Sequence, residues 1–330
     1  MGGFAGRIKH LSEIPEYTIN DIRNILNQIA TQEILIKEKL DGINICFTVK
    51  DGECFFARNK TDVSRGGLSL EEHIERYKNH PASKPFIDGA KSISKIFLSN
   101  KDLSRRIEKT LASGHDQQYL NAEIICKDHV NIISYKENYI SIHNIGVLNS
   151  SDARSLVRCS NNLHIYCDTY RLVFNDKYRL NLSIRDYSRF LSALENLDVL
   201  DYDNNITLGK IIEQNLKKDL GVEDIKPYSD YVLYGKGKAR ELLKSCKLFS
   251  IASSKEKARK YRVKSVADIH TAIQKVADSL ISNTTPLLSR RIERQPYNIT
   301  TEGFVFCHNE NTIKLTGKFQ DINQACSIAR

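Results

Sequence analysis

The sequence contains no tryptophan, one methionine and six prolines in 330 residues, and it has no run of about 18 consecutive apolar residues without a charge. Its beginning also lacks the apolar stretch of a secretory signal. We therefore expect a soluble, cytoplasmic protein that has no membrane partner. With 41% hydrophobic and 27% charged residues, the composition excludes the disordered and collagen-like classes and is sufficient to build a core.

None of the eight cysteines forms a C-x-x-C pair, which is the spacing typical of redox and many zinc motifs. We interpret the cysteines as reduced thiols, because a chain of this length does not need disulfides to be stable. Cys159, His164 and Cys167 resemble half of a zinc site, but no second pair follows at ligand spacing. Buried apolar cysteines are therefore the favoured interpretation.

Positive charge is concentrated in one segment. The whole chain has a formal net charge of +9, and residues 231–264 alone contain eleven lysines and arginines against two glutamates. Such a cluster repels itself unless a polyanion neutralises it, and phosphate backbones are the usual partner. We expect RNA or DNA contacts here, with a solvated helical face as the alternative. The predicted nucleic-acid-binding residues are Lys236, Lys238, Arg240, Lys255, Lys257, Arg259, Lys260 and Arg262.

The spacing of apolar residues predicts an α+β fold. Residues 18–32 have the N-cap threonine and the periodicity of an amphipathic helix. Residues 43–49 and 53–57 alternate around an Asp-Gly turn, which predicts a hairpin. Further strands are predicted at 119–126, 139–148, 303–307 and 312–315, and mostly helical spacing covers 183–283.

Five short motifs follow one another along the predicted strands. In the first, residues 38–44 read EKLDGIN, so that Lys39 lies on a rigid rim where a strand ends, with a glycine nearby to admit a ligand closely. A K-x-D-G tetrapeptide alone is also typical of a surface lysine before a turn. The four motifs that follow it in order favour a functional role for Lys39 over that of a surface lysine. They contain Arg58, Glu123, Glu302 and Lys314.

This ordered series resembles that of the covalent nucleotidyltransferase superfamily, which comprises the ATP-dependent RNA and DNA ligases and the mRNA capping enzymes. It is most similar to the phage-type RNA ligases of the second class, over residues from about 33 to 148 and from about 300 to 320. The resemblance implies an antiparallel-sheet nucleotidyltransferase core, ATP-grasp-like in its architecture. It also implies an ATP-dependent RNA ligase that joins 5′-phosphate and 3′-hydroxyl ends through AMP linked to Lys39. A DNA ligase, a GTP-using capping-type guanylyltransferase and a non-catalytic nucleic-acid-binding protein are the alternatives.

The resemblance also implies a domain organisation. Residues 1–150 and 300–330 would form the core, and residues 151–299 a mostly helical, basic insertion. The chain ends twelve residues after Lys318, so we expect no C-terminal domain with the family's last motif. The insertion is then our candidate for the clamp that closes over nucleic acid.

The same resemblance assigns roles to the motif residues. Glu302 matches a ligand of Mg²⁺ or Mn²⁺, since a carboxylate is a hard oxygen donor, and Lys314 matches the first lysine of the fifth motif. Glu123 is expected to accept hydrogen bonds from the ribose, and Arg58 to bind ribose or phosphate. Considered singly, Glu123 and Glu302 are also typical of exposed carboxylates on strand edges.

The remaining candidates have structural alternatives. Asp41 either binds the metal through water or shapes the turn before the glycine. His143 falls near the family's purine-stacking aromatic, and a buried structural histidine fits the pattern equally well. Lys318 lies two residues beyond the family's second fifth-motif lysine, where this chain has Thr316. Asn44 completes the predicted nucleotide-binding set.

The proposed chemistry requires a neutral amine at Lys39. The reference pKa of lysine is about 10.4, so few lysine side chains are neutral near pH 7. We therefore expect neighbouring cations, Lys314 and a bound Mg²⁺, to lower the pKa of Lys39.

Overall fold

The computed structural model describes residues 8–112, 118–129, 132–145, 166–167, 170–175, 177–197, 200, 202–211, 214, 264–282 and 301–317. The contacts between residues divide the chain into two compact units. The first unit comprises Met1–Ile8, Lys37–Lys177 and Thr285–Glu302, and the second comprises Lys9–Ile36, Tyr178–Thr284 and Gly303–Arg330.

The boundaries of these two units differ from those of the predicted core and insertion. The predicted boundaries were based on the family resemblance, and that domain organisation stays a prediction. The eight basic residues predicted to bind nucleic acid lie outside the described residues, as does Lys318.

Helices and strands alternate irregularly along the described chain, and most strand pairs are antiparallel, which confirms the predicted α+β class. The strands are β1 (Lys9–His10), β2 (Ile36–Lys39), β3 (Ile43–Lys50), β4 (Glu53–Ala57), β5 (Leu120–Ile125), β6 (Tyr139–Ile145), β7 (Tyr166–Cys167), β8 (Tyr170–Phe174), β9 (Gly303–His308) and β10 (Asn311–Leu315). The α-helices are α1 (Ile19–Ala30), α2 (Lys60–Ser64), α3 (Leu70–Tyr77), α4 (Ser83–Ser99), α5 (Lys101–Leu111), α6 (Ile184–Leu194) and α7 (Lys264–Ile281).

One six-stranded sheet organises the first unit, in the order β4-β3-β5-β6-β8-β7. Strands β6 and β8 pair in parallel, and all other neighbours in this sheet are antiparallel. The predicted hairpin of β3 and β4 is confirmed. Its turn places Asp51 and Gly52 at φ values of 52° and 79°, the left-handed conformation that a tight hairpin turn requires.

Helices α4 and α5 cover one face of this sheet. Side chains such as Ile93 and Ile107 pack there against Phe47 and Ile124 of the strands. The close approach of α4 depends on Gly89, because a Cβ atom at that position would lie 2.5 Å from Cδ1 of Ile124. The opposite face of the sheet is therefore the one left for polar side chains.

The second unit has its own sheet and core. Strand β1 pairs in parallel with β10, which pairs in antiparallel with β9. Helix α1 begins as predicted, since the Thr18 hydroxyl accepts a hydrogen bond from the backbone N–H of Asp21 at 3.0 Å. Apolar side chains of α1, α6, α7, β9 and β10 form one buried cluster. Within the described residues, no helix has the length and apolar character needed to cross a bilayer.

A buried histidine lies beside the sheet of the first unit. His73 of α3 is 2% exposed, and its ring lies 5.1 Å from that of Phe56 and 4.6 Å from that of Tyr77. Burial, with smaller contributions from the nearby Arg76 and Arg58, lowers the pKa of His73 to about 4. The imidazole is therefore neutral in the folded protein at pH 7.

We predict that His73 makes folding sensitive to acid. The unfolded chain takes up a proton at His73 near pH 6.5, but the folded protein does so only near pH 4. Stability is therefore fully present above pH 6.5 and is lost as the pH falls towards 4, by about 2–3 kcal/mol for this residue. Urea denaturation at several pH values should show a flatter profile for His73→Phe than for the wild type. An identical profile in both proteins would contradict this prediction.

Candidate active site

The face of the six-stranded sheet away from α4 and α5 carries several polar side chains. Asn44 and Cys46 of β3 lie directly opposite Glu123 and Asn121 of β5. Because opposed residues of antiparallel strands share a face, these four side chains lie on the side away from α4 and α5. Strand β6 adds Ser141, which lies opposite Glu123.

His143 lies at a bulge of β6, on the same polar face as Ser141 two residues before it. The pairing with β5 passes from Ala122–Ile142 to Asn121–Asn144, so that His143 is the extra residue. Nε2 of His143 lies 3.0 Å from Oε2 of Glu123. The structure thus brings together two residues that were predicted from separate motifs. The purine-stacking role of His143 stays a prediction.

Lys39 forms an ion pair with Glu302. Nζ of Lys39 donates a hydrogen bond to Oε1 of Glu302, although the two residues are 263 positions apart. The side chains are only 21% and 13% exposed. Lys39 is therefore not the exposed rim lysine that we expected, because a carboxylate from a distant segment covers its end.

Burial alone would lower the pKa of Lys39, but the carboxylates of Glu302 and Glu123 outweigh it and hold the pKa above its ordinary value. This direction is opposite to the one that we expected from neighbouring cations. The physical reason is that the groups acting on Lys39 within the first unit are acidic. Lys39 is therefore a protonated ammonium group at pH 7 in this state.

Glu302 is the carboxyl group most affected by this environment. Burial raises its pKa to about 7; the charge of Lys39 opposes the shift, whereas Asp41 and Glu123 add to it. Near neutral pH the carboxyl group of Glu302 is therefore only partly ionised. Another cation at this position would favour the ionised form.

The carboxylate of Asp41 forms hydrogen bonds with the segment between β5 and β6. Its Oδ2 accepts hydrogen bonds from the backbone N–H groups of Ile132 and Ile133, both at 2.8 Å. The backbone N–H of Asp41 in turn donates to the hydroxyl of Tyr135 at 3.2 Å. These contacts give Asp41 a structural role between distant segments. Its two predicted roles, in binding a metal and in shaping the turn before the glycine, stay predictions.

Gly42 lies very close to strand β5, because it has no side chain. A Cβ atom at this position would lie 2.7 Å from Cγ of Glu123 and 2.7 Å from the carbonyl oxygen of Ile124. The backbone N–H of Gly42 donates to Oε1 of Glu123 at 3.0 Å. The absence of a side chain at Gly42 therefore serves the contact with β5, in which Gly42 positions Glu123. The approach of a ligand near Gly42 stays a prediction.

Two further predicted residues have defined contacts in the first unit. The guanidinium carbon of Arg58 lies 4.6 Å from the centre of the Phe86 ring, a cation–π distance. Nδ2 of Asn44 donates to Oδ1 of Asn121 at 2.7 Å. Oδ1 of Asn44 is buried and has no hydrogen-bond partner among the described residues. A ligand that carries a donor group would satisfy this acceptor.

Lys314 belongs to the second unit. It lies in β10, opposite Val305 of β9 and beside His10 of β1. Its predicted role at the phosphates stays a prediction. The residues that the structure brings together within the first unit are Lys39, Asp41, Gly42, Glu123, His143 and Glu302.

The carboxylates of this cluster have the chemistry that suits magnesium. Glu302, Asp41 and Glu123 supply hard oxygen donors. Burial is the main reason for the raised pKa of Glu302, and the charges of Asp41 and Glu123 add to it. The described residues include no group of three or more His, Cys, Asp or Glu arranged as a metal cage. Magnesium needs no such cage, because it is usually held by one or two carboxylates together with phosphate oxygens and water.

Two residues of this site were not predicted from the sequence. Nζ of Lys37 donates to the backbone carbonyl of His143, and Nδ2 of Asn175 lies 3.0 Å from Nδ1 of the same histidine. Lys37 precedes Lys39 by two residues in one strand, so the period of two could have indicated a shared face. Asn175 lies in a segment whose pattern is ambiguous, and no sequence signal indicates it.

No protein-family model matches the chain, and no curated protein matches it either. The site is therefore characterised by its geometry and by the chemistry of its residues.

We predict that Gly42→Ala destabilises the protein by about 1–3 kcal/mol, because the added methyl group overlaps a backbone oxygen that cannot move freely. Gly209→Ala is the matched control, since its nearest atom, the carbonyl oxygen of Pro15, would lie 3.3 Å from the new Cβ. Urea denaturation of both variants measures the difference. Equal stabilities would contradict the close approach of Gly42 to β5.

Proposed function

We propose that the protein is an ATP-dependent RNA ligase in which Lys39 becomes covalently linked to AMP. The observation that carries this proposal is the contact of Lys39 with Glu302 beside Glu123, three residues that were predicted from separate motifs. A lysine held among carboxylates at the end of a strand provides the nucleophile and the metal-binding oxygens that such a reaction needs. The six-stranded sheet is, in this proposal, the nucleotidyltransferase core.

In the first step the amine of Lys39 attacks the α-phosphorus of ATP. The Nζ–P bond forms, the bond from phosphorus to the bridging oxygen breaks, and pyrophosphate leaves with that oxygen. The ammonium group loses one proton before the attack and the resulting adduct loses another, both to water. The product is AMP joined to Lys39 through a phosphoramidate bond.

In the second step a 5′-phosphate oxygen of the RNA attacks the phosphorus of this adduct, and the amine of Lys39 leaves and regains its protons. AMP is thereby transferred to the RNA end in a diphosphate linkage. In the third step a 3′-hydroxyl attacks the RNA phosphorus, its proton is lost to water, and AMP leaves. The two ends are then joined by a phosphodiester bond.

Glu302 is the residue that we propose to hold Mg²⁺, with Asp41 acting through water. When bound there, the ion would supply positive charge that lowers the pKa of Lys39 and offsets the charge of the phosphoryl oxygens. The described carboxylates, which raise the pKa of Lys39, explain why the amine would remain protonated until such a charge is present.

Glu123 is the proposed ribose ligand. Its carboxylate already accepts hydrogen bonds from Gly42 and is in contact with His143, so its orientation is fixed before a ligand binds. Each carboxylate oxygen retains a further lone pair, which can accept a ribose hydroxyl. The buried Oδ1 of Asn44 supports a polar ligand on the same face of the sheet.

We predict that Lys39→Arg folds but forms no adduct. Arginine preserves the positive charge beside Glu302, yet the guanidinium does not lose its proton and is a poor nucleophile. Lys39→Ala should also form no adduct, at some cost in stability because it leaves Glu302 without its partner. Lys50→Ala, at the end of β3, is the control that should retain full adduct formation.

Mass spectrometry after incubation with ATP and Mg²⁺ provides the readout for these three variants. An adduct of normal yield on Lys39→Arg would overturn the assignment of the nucleophile. Parallel incubation with GTP identifies a capping-type enzyme, since only the cognate nucleotide should label the chain. Sealing of nicked RNA, nicked DNA and mixed-strand duplexes then decides between an RNA and a DNA ligase.

We also predict that the basic segment binds the nucleic acid and has no role in the first step. Replacing Lys255, Lys257, Arg259 and Lys260 together by neutral residues should weaken binding and reduce the salt dependence of log K by roughly 3. Formation of the adduct with ATP should be unchanged. Unaltered affinity across a salt titration would contradict the proposed clamp, whereas binding without any adduct in the wild type would indicate a non-catalytic binding protein.

A further inference from the structure

Asn175 is a buried polar residue that follows β8, on the polar side of the six-stranded sheet. It is only 7% exposed. Its backbone N–H donates to the carbonyl oxygen of Ile142 at 2.8 Å, which continues the ladder between β6 and β8 by one residue. The ladder fixes its backbone beside the bulge that carries His143.

The side chain of Asn175 makes two short contacts through one nitrogen atom. Nδ2 lies 2.7 Å from the carbonyl oxygen of Glu38 and 3.0 Å from Nδ1 of His143. A carbonyl oxygen can only accept a hydrogen bond, so the amide group must present its NH₂ to Glu38. The opposite orientation of the amide would bring two oxygens within 2.7 Å of each other and is excluded.

This orientation determines the tautomer of His143. The amide nitrogen of Asn175 has no lone pair to offer, so Nδ1 of His143 must be the acceptor. In the neutral imidazole the proton is then on Nε2, which lies 3.0 Å from Oε2 of Glu123. His143 therefore donates to Glu123, while Gly42 donates to the other oxygen of the same carboxylate.

The same contacts fix the segment that carries the nucleophile. Asn175 holds the carbonyl of Glu38, the residue directly before Lys39. In the other direction, Lys37 donates to the backbone carbonyl of His143. Strand β2 and the bulge of β6 are thus joined by hydrogen bonds at the two residues that directly precede Lys39.

We infer that Asn175 is a positioning residue of the nucleotide site: it holds His143 as the Nε2–H tautomer and thereby orients Glu123, and it anchors the backbone beside Lys39. This inference deepens the proposed function and rests on it for the effect on activity. The tautomer of His143, in contrast, is a property of the protein without any nucleotide.

Two substitutions separate hydrogen bonding from packing. Asn175→Asp preserves the size of the side chain but cannot donate to Glu38 or to His143 as a carboxylate, and Asn175→Leu removes both polar groups. Asn138→Leu is the matched control. It removes one side-chain hydrogen bond, from the backbone N–H of Lys127 at 2.8 Å, in the same unit but outside this network.

The first measurement is nuclear magnetic resonance of the protein labelled with ¹⁵N-histidine, with His143→Gln to assign the signals. We expect a neutral Nε2–H tautomer for His143 in the wild type and in Asn138→Leu. Both Asn175 variants should lose this single tautomer. A different tautomer in the wild type, or an unchanged one in both Asn175 variants, would overturn the inference.

The second measurement is the rate of adduct formation with ATP and Mg²⁺. We expect kcat/KM to fall about 10–100-fold in both Asn175 variants relative to Asn138→Leu, since a displaced Glu123 and Lys39 lose their alignment. Equal rates in all three variants would overturn the positioning role. If the wild type forms no adduct, the proposed function fails, and the tautomer of His143 alone decides whether Asn175 orients this residue.

Discussion

The arrangement of the candidate site depends on one ion pair, that between Lys39 and Glu302. Three carboxyl groups act on Lys39, and they are largely buried, so each would be costly to ionise without a neighbouring positive charge. The pKa of Lys39 is raised because the nearby carboxylates outweigh its burial, and the pKa of Glu302 is raised because its burial outweighs the charge of Lys39. In the absence of a further cation the lysine is held protonated, and the same acidic surroundings are suited to receive a metal ion. In the function that we propose, the amine of Lys39 would therefore be inactive as a nucleophile until a metal ion binds beside it.

The two faces of the sheet in the first unit carry different kinds of side chain. The apolar face is packed against α4 and α5, whereas the polar face presents Asn44, Glu123 and, through a bulge, His143. Because the core is complete on one side, side chains on the other side need not contribute to it. Hydrogen bonds among these polar side chains instead hold them in place. The proposed phosphoryl transfer would benefit from such fixed positions.

Local features of the sequence predicted the local structure well. The helix at α1 with its threonine cap and the hairpin around Asp51 each depend on residues close in sequence, and the order of the motifs correctly suggested that Lys39, Glu123 and Glu302 belong together. Features that depend on distant contacts were not predictable in the same way. The partial burial of Lys39 requires a carboxylate 263 residues away, and the register shift that makes His143 an extra residue is not encoded by the pattern of apolar residues. The close approach of Gly42 to β5 was not predictable for the same reason, because it depends on a contact with a distant segment.

The central claim is that the amine of Lys39 bonds to the phosphorus of a nucleotide. Tandem mass spectrometry of a digest, made after exposure of the wild-type protein to ATP and Mg²⁺, locates such a bond most directly. The account predicts one modified peptide that carries AMP on Lys39 and loses it in acid, as a phosphoramidate does. A modification confined to another lysine, or no modified peptide from a folded protein, would contradict it.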